Sequence, residues 1–546
     1  MKRILALVMT IAFLLAACGP SGGGGGTVRI GWAGSPDTLN PGAAILTEAY
    51  TIFELVYDSM YELNLDGSFS LALAESVERS QDGLVYTYKL HQGVKFHDGK
   101  PLTAKDVKFT YDFYKAHEDF PYLNAYTAYI ESTEAADDYT VVVTLSEAIP
   151  NIESQLVYMY VLPEHIWAEH SEGAAATEFE NTEMIGSGPF QVVEYKQGEF
   201  IHLKANTNHF FQAPKVSEII FQTFESQDVL VQAIKSGQVD MITEMPATAV
   251  EVLKEDPNIK VVTGAPFAPG VSDIIFNQID PANCPVDDGG LCTGHPALRD
   301  RNVRLAMAHA TDKQKLIDVV LLGYGTPGLT LIPDGLGMWY NNKIKDYSFD
   351  VTEANRILDE AGYKDADSDG IRDMPDGSQP LTFRMQWPSD SIDAPRQAEL
   401  LSEMWLEIGI KTELAAMDPD ALTAACCPAF DFDIILWGWG SDPDPSLLLG
   451  VHTTGEIPSG YNETGYSNPE YDALFTQQAT ELDLNKRIAL VHQMQQIAFD
   501  DVVYIIPYYE QAIQAYRVDR FSGWLIEFPK VELSDVSSLV LIEAVK

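Results

Sequence analysis

The chain has 546 residues and a formal net charge of −45, from 80 acidic and 35 basic side chains. This length predicts two to four domains, and 46% hydrophobic residues exclude a disordered chain. The acidic excess excludes nucleic acid and broad binding to anionic lipid, since both require clustered Lys and Arg. It favours solubility and either attracts cationic ligands or forms a solvated surface without a ligand role.

The first eighteen residues are typical of an exported protein. Two basic residues precede an apolar run that ends in Leu15-Ala16-Ala17-Cys18, a pattern that predicts a secretory signal. The run is shorter than the roughly 20 residues that a membrane span needs. Its end resembles the lipobox of bacterial lipoproteins, which implies a signal peptide over 1–17, lipid on Cys18 and a Gly-rich tether over 18–26. The alternative is a plain signal peptide in which Cys18 has no role.

Strands and helices are mixed along the rest of the sequence, which favours an α/β or α+β fold without short repeats. A capping box from Thr103 to Asp106 predicts a helix start, and Gly237, Gly362 and Gly409 predict helix ends. The predicted strands are 27–33, 84–90, 139–145, 239–242, 381–387, 411–414, 431–437 and 502–507. The predicted helices are one that begins at 103, then 228–236, a pair within 299–323, 352–360, 397–408, 469–479 and 485–499.

Four cysteines remain besides Cys18, and export permits disulfides. Cys284 and Cys292 flank a turn-rich loop that a disulfide between them would close. The adjacent residues Cys426 and Cys427 form a vicinal disulfide, pair elsewhere or stay reduced. A site with four Cys ligands for zinc is a further alternative, although the spacing fits no usual zinc motif.

Several blocks of the sequence resemble one protein family. The most specific is Gly93-Val94-Lys95-Phe96-His97-Asp98-Gly99-Lys100-Pro101-Leu102-Thr103-Ala104-Lys105-Asp106-Val107. Further blocks are 57–62, 73–76, 82–90, 186–190, 299–306, 466–472 and 506–509. On these residues the chain resembles the bacterial solute-binding proteins of family 5, which serve peptide and nickel ABC importers.

The resemblance implies an α/β, two-lobed periplasmic-binding-protein-like fold of type II, in its large peptide-binding class, with an inserted subdomain in the first lobe. Lobe I would comprise 27–60, 180–272 and 508–546, the insert 61–179, and lobe II 273–507. The lobes would close over a solute and present it to a membrane permease driven by a separate ATPase. Closure of two lobes about a hinge is a known switching mode.

The candidate ligand site is the loop that follows the predicted strand 431–437. It carries two Trp and two Asp among Gly and Pro residues, as binding loops at strand ends often do. In similar peptide-binding members an Asp of this loop pairs with the peptide's α-ammonium, which implies Asp442. Because the loop is shorter than in the dipeptide-binding members, the alternatives are that the match falls on Asp444 or on neither residue. Trp437 and Trp439 are candidates to stack on a side chain or a sugar ring. The structural alternative is that both acids cap turns and both Trp belong to the core.

A second candidate site is an acidic loop that begins at Asp365. Asp365, Asp367, Asp369 and Asp373, with the carbonyl of Ile371, match the start of a calcium loop. The match to an EF-hand is incomplete, because the twelfth position is Asp rather than Glu and a strand follows. The loop therefore predicts either a structural Ca²⁺ site or an acidic turn.

Taken together, these features predict an extracytoplasmic, lipid-anchored receptor of an ABC importer that is a monomer and no enzyme. Its partners would be a peptide ligand, an ABC permease with its ATPase subunits and the membrane, but not nucleic acid. No cofactor is required beyond the Ca²⁺ considered above, and scattered histidines give no support to nickel as cargo. Oligosaccharide cargo is the main alternative; a secreted glycoside hydrolase with two carboxylates is the rival of a different class.

Overall fold

The structure, a computed structural model, describes residues 26–266, 269–526 and 530–546. The predicted signal peptide and Cys18 lie outside these residues. Within the described ranges, no helix has the length and apolarity needed to cross a membrane. Two large sheets and a smaller one organise the chain, and the two large sheets are built from sequence segments that are far apart.

The sheet of the first lobe has seven strands and begins with the first described segment. Thr27–Trp32 runs parallel to both of its neighbours, whereas the outer pairs are antiparallel. Its alternate residues Val28, Ile30 and Trp32 are buried in the main core, as expected for a central strand. In sheet order the strands are Ile259–Gly264, Ala512–Arg517, Met241–Ile242, Thr27–Trp32, Glu218–Thr223, Phe200–Ala205 and Phe190–Lys196.

The sheet of the second lobe has five strands and is buried on both faces. Residues of Val271–Phe276 alternate between two cores: Ile274 and Phe276 face one, Val271 and Ile275 the other. Such a central position explains the nearly continuous apolar run in the neighbouring strand Ile434–Trp439. In sheet order the strands are Lys411–Met417, Thr382–Pro388, Ile434–Trp439, Val271–Phe276 and Tyr504–Ile505.

A four-stranded antiparallel sheet forms the insert of the first lobe. Its strands, in sheet order, are Ala74–Arg79, Val85–Leu90, Thr140–Leu145 and Ile130–Asp137. The remaining strands of the described residues form three two-stranded antiparallel sheets. These pair Tyr61–Leu63 with Phe69–Leu71, Gly325–Pro327 with Tyr508–Glu510, and Phe521–Ser522 with Glu543–Ala544.

Helices pack on both lobes and on the insert. The α-helices are Thr47–Val56, Ala104–Ala116, Ile152–Leu156, Glu164–Trp167, Ala175–Glu178, Gln227–Ser236, Val250–Lys254, Arg301–His309, Lys313–Val320, Val351–Ala361, Ala394–Leu406, Pro419–Cys426, Ser446–Gly450, Pro469–Thr480, Leu484–Asp500 and Val536–Leu539. The 3-10 helices are Ala125–Thr127, Ala168–His170, Ala247–Ala249, Pro281–Asn283, Val286–Asp288, Pro296–Arg299, Asp334–Trp339 and Thr454–Glu456.

Two crossings connect the two large sheets. The chain leaves the first-lobe sheet after Gly264 and enters the second with Val271, and it returns between Ile505 and Ala512. The lobes also touch away from these crossings, where the carbonyl of Asp66 in the insert lies beside Gly337 of the second lobe. Gly337 has a φ of +57°, and a Cβ there would lie 2.6 Å from that carbonyl oxygen, so the close approach depends on glycine.

The locally encoded helix boundaries are confirmed. The side chains of Thr103 and Asp106 form the predicted capping box, and Gly237 and Gly362 end their helices with positive φ. Other predicted boundaries move by a few residues; the predicted helix 397–408 is Ala394–Leu406, for example. Several strands of the first-lobe sheet and the edge strand Ile130–Asp137 were not predicted.

Candidate functional site

The candidate ligand loop, residues 440–445, leaves the second-lobe sheet at the end of the central strand Ile434–Trp439. Gly438 is required in that strand because a Cβ would lie 2.6 Å from the carbonyl oxygen of Val271. Ser441 donates a hydrogen bond of 2.6 Å to the carbonyl of Pro269 in a crossing segment. The loop is therefore held against the hinge region while its next residue, Asp442, is exposed.

Asp442 faces the insert of the first lobe. Burial and then the charge of Asp442 raise the pKa of Tyr126, and Asp442 also contributes to the raised pKa of Tyr158. The two phenol rings lie 5.5 Å apart between centroids. Desolvation, followed by the charge of Asp444, raises the pKa of Asp442 itself. No basic side chain in the described part of the chain pairs with this carboxylate, so it is available to a cationic group in the cleft.

Asp444, two residues after Asp442, is in contrast paired with a basic side chain. Its carboxylate receives two hydrogen bonds from Arg487, at 2.6 and 2.9 Å, and caps the following turn through the amide of Ser446. Arg487 is 2% exposed and Asp444 is 7% exposed. This carboxylate is already neutralised inside the second lobe, in line with the structural alternative for Asp444.

Trp439 and Trp437 are both half-buried at the edge of the second-lobe core. The indole of Trp439 donates a hydrogen bond of 2.7 Å to Glu463, which also accepts one of 3.0 Å from Tyr504. Trp437 stands opposite Asp273 on the neighbouring strand. Both Trp therefore pack against the core of the second lobe and remain partly accessible.

Asp273 and Glu463 form a buried acidic pair beneath this wall. Asp273 is 0% exposed, and neither of its carboxylate oxygens has a hydrogen-bond partner among the described residues. Burial, and then the charge of Glu463, raises the pKa of Asp273, while burial raises the pKa of Glu463 to about 7. Burial and mutual repulsion therefore both disfavour the charged forms of this pair.

The predicted calcium loop brings its acids together. Ligand oxygens of Asp365, Asp367 and Asp369 all lie within 4.8 Å of one another on an exposed surface. The amide of Gly370, whose φ is +92°, donates to Asp365 at 2.9 Å. Asp373 accepts a hydrogen bond of 3.0 Å from the amide of Ala366 and is not part of this group of three. Three carboxylates on a tight turn fit a hard cation such as Ca²⁺.

Two disulfides are present in the second lobe. Cys284 and Cys292 are joined with an S–S distance of 2.00 Å, which closes the turn-rich loop between them. Cys426 and Cys427 are joined to each other at the end of the helix Pro419–Cys426.

Sequence reasoning missed the insert side of the cleft and the buried acids. Tyr126 and Tyr158 carry no motif, and they meet Asp442 only through the tertiary fold. Asp273 offered a weak signal, an acid within the apolar run of Val271–Phe276. Glu463 lies just before the family-like block 466–472, and no sequence signal marked it.

Comparisons with known proteins agree with this architecture. Residues 68–456 match the family model for bacterial extracellular solute-binding proteins, family 5 (middle). The oligopeptide-binding protein AppA of Bacillus subtilis (strain 168) is 27% identical over 530 residues, which are 93% of this chain and 92% of AppA.

Solved structures share the fold along nearly the whole chain. AppA of Bacillus subtilis in complex with a nonapeptide has a TM-score of 0.68 at 25% identity, over 96% of this chain and 99% of that one. The ABC transporter substrate-binding protein CtaP of Listeria monocytogenes has a TM-score of 0.77 at 26% identity, over 96% and 100%. HbpA2 of Haemophilus parasuis, at 23% identity, shares the fold with a TM-score of 0.81 over 95% and 100%. The predicted two-lobed α/β fold is confirmed.

Proposed function

The chain belongs to the bacterial extracellular solute-binding proteins of family 5, and we propose that it captures peptides between its two lobes for an ABC importer. The observation that carries this proposal is the carboxylate of Asp442, which has no basic partner in the described ranges and faces Tyr126 of the insert. The α-ammonium of a peptide would form a charge-assisted hydrogen bond there, and such bonds are stronger than neutral ones.

The relatives support peptide as the cargo. AppA, which shares most of its length with this chain, was solved with a nonapeptide. The half-buried Trp437 and Trp439 would form the wall beside the first peptide residues, since aromatic faces bind apolar and aromatic side chains. Asp444 takes no part in binding on this proposal, because Arg487 occupies its carboxylate.

Capture would proceed by closure about the two crossings at 265–270 and 506–511. A ligand favours the closed arrangement only as far as it binds that arrangement better than the open one. A peptide bridging Asp442 of the second lobe and Tyr126 of the insert would make both contacts only when the lobes are close. The close approach of Gly337 to Asp66 would be a second contact that closure forms between the lobes.

Anchoring and delivery complete the proposal. Lipid on Cys18 and the tether that follows would hold the receptor near the permease and raise its effective concentration there. The receptor would act as a monomer, without turnover of its ligand, and a separate ATPase would drive transport. The three acids from Asp365 to Asp369 would bind Ca²⁺ as a structural ion, away from the ligand loop.

A thermal-shift screen of the purified protein tests the cargo. Short peptides, β-linked oligosaccharides and nickel chelates are compared, because a ligand that binds only the folded state raises the melting temperature by mass action. The expected result is a shift with peptides that is lost in Asp442→Asn. A shift with oligosaccharides alone would overturn peptide as cargo and would make Trp437 and Trp439 the candidate residues for stacking on a sugar ring.

A further inference from the structure

A cavity of about 300 Å³ lies wholly within the first lobe and its insert, apart from the ligand loop of the second lobe. Four main parts of the chain build it: the end of the helix Thr47–Val56 with the residues that follow it, the stretch around Tyr158, the segment 209–212, and the C-terminal segment around Asp535. Its volume is at the lower end of the range for small-molecule sites. Phe211, which is 68% exposed, belongs to the lining, so the cavity opens to solvent.

The lining combines aromatic rings with carboxylic acids. Four acids line the cavity: Glu54, Asp58, Glu62 and Asp535. Asp58 is already paired, because it accepts hydrogen bonds from Ser187 at 2.6 Å and from His209 at 3.2 Å. Asp535 caps the amide of Ser537. Glu54 has no hydrogen bond or ion pair within the described ranges.

Two further observations show that polar groups of the cavity lack partners in the described part of the chain. Tyr160 is only 2% exposed and belongs to the cavity lining, and its buried hydroxyl has no hydrogen-bond partner among the residues that the structure describes. Burial raises the pKa of Glu54 to about 8, with further contributions from Asp535, Glu532 and Glu62. An unpartnered buried hydroxyl and a carboxyl surrounded by other acids are both costly unless a ligand supplies the missing partner.

We propose that this cavity is a second binding site, for an organic cation that carries a protonated amine on a small apolar body. The ammonium would lie against Glu54 and the hydroxyl of Tyr160, and the aromatic rings would enclose the apolar part. Rings and carboxylates together favour ammonium groups, through cation–π attraction and charge-assisted hydrogen bonds. The acidic surroundings exclude carboxylate and phosphate ligands, which like charge would repel.

Two sources can supply this chemistry: a free amine or the basic side chain of a cargo peptide. Tyr158 lines the cavity, and both Glu54 and Asp442 contribute to its raised pKa. It therefore stands between the cavity and the proposed peptide site. A lysine side chain of a bound peptide and a free amine entering past Phe211 would place the same group beside Glu54.

Isothermal titration with phenethylamine and with its neutral isostere 2-phenylethanol tests the site. We expect wild-type protein to bind the amine at least about tenfold more tightly than the alcohol, and Glu54→Gln to abolish that preference. Glu153→Gln is the matched control, because Glu153 is a nearby acid of the insert whose pKa is likewise raised by burial, and it does not line the cavity. Ala72→Phe, which fills the cavity and keeps every acid, should also abolish binding.

A peptide arm separates the two sources. The affinities of a lysine-containing peptide and of its norleucine twin are compared in wild type and in Glu54→Gln. A tenfold tighter binding of the lysine peptide that is lost in Glu54→Gln identifies the cargo peptide as the source of the amine. Binding of the norleucine twin tests peptide capture independently of this site. The proposal is overturned if Glu54→Gln, folded by its melting temperature, retains the preference for the cation, or if neither the amine nor the lysine is preferred in wild type.

Discussion

Removal of either partner of the Arg487–Asp444 pair should destabilise the second lobe by several kilocalories per mole. Arg487 is bound on three sides: Asp444, the amide oxygen of Gln478 at 3.0 Å and the hydroxyl of Ser446 at 2.9 Å. Its guanidinium also lies 4.8 Å from the ring centre of Trp339. Because both ions are almost fully buried, removal of one leaves the other charge uncompensated, which costs about 3–5 kcal/mol.

The assay is urea unfolding followed by tryptophan fluorescence. Arg487→Met and Asp444→Asn should each lower the free energy of unfolding by about 3–5 kcal/mol, and the double variant should cost less than the sum of the two. Arg356→Met is the control, because Arg356 forms ion pairs with Glu353 and Glu360 on an exposed helix face, where a pair contributes at most about 1 kcal/mol. Single variants of the buried pair that cost no more than this control would refute the reasoning.

Three further predictions concern other parts of the molecule. Ca²⁺ at a hundredfold excess over its Kd should stabilise wild type by about 2.7 kcal/mol. Differential scanning fluorimetry should show this stabilisation in the control variant Asp287→Asn and not in Asp367→Asn. Burial raises the pKa of Glu463 to about 7 from 4.5, so the folded state holds this proton more tightly than the unfolded state. The free energy of unfolding should therefore fall by roughly 3 kcal/mol as pH rises from about 4.5 to 7. Glu463→Gln should flatten that part of the plot of melting temperature against pH, and equal slopes for wild type and variant would contradict the argument. Gly337→Ala should weaken cargo binding, measured by titration, because the new Cβ would push against the carbonyl of Asp66; unchanged affinity would show that closure does not use this contact.

Local signals account for what the sequence predicted well. Helix caps depend on residues three or four positions apart, so the capping box of Thr103 and Asp106 and the terminal Gly237 were readable directly. Long apolar strands such as Ile434–Trp439 are also evident from composition. The family resemblance then gave the two-lobed arrangement that local signals alone do not provide.

Tertiary pairing accounts for what was missed. The edge strand Ile130–Asp137 is rich in Glu and Asp, which have low strand propensity, and its pairing with Thr140–Leu145 imposes the strand.

The candidate site shows the same limit. Asp442 and Asp444 have similar neighbours in the sequence, and only the position of Arg487, 43 residues beyond Asp444, distinguishes them. The cavity around Glu54 is likewise invisible in the sequence, because its lining comes from distant segments.

The most direct test of peptide capture is a titration with one peptide and its N-acetylated twin. The two ligands differ only in the α-ammonium that Asp442 is proposed to bind. Wild type should bind the free peptide at least about tenfold more tightly than the acetylated one, and Asp442→Asn should bind both alike. Equal affinity of wild type for the two peptides would contradict the proposed role of Asp442, and binding of neither would contradict peptide capture itself.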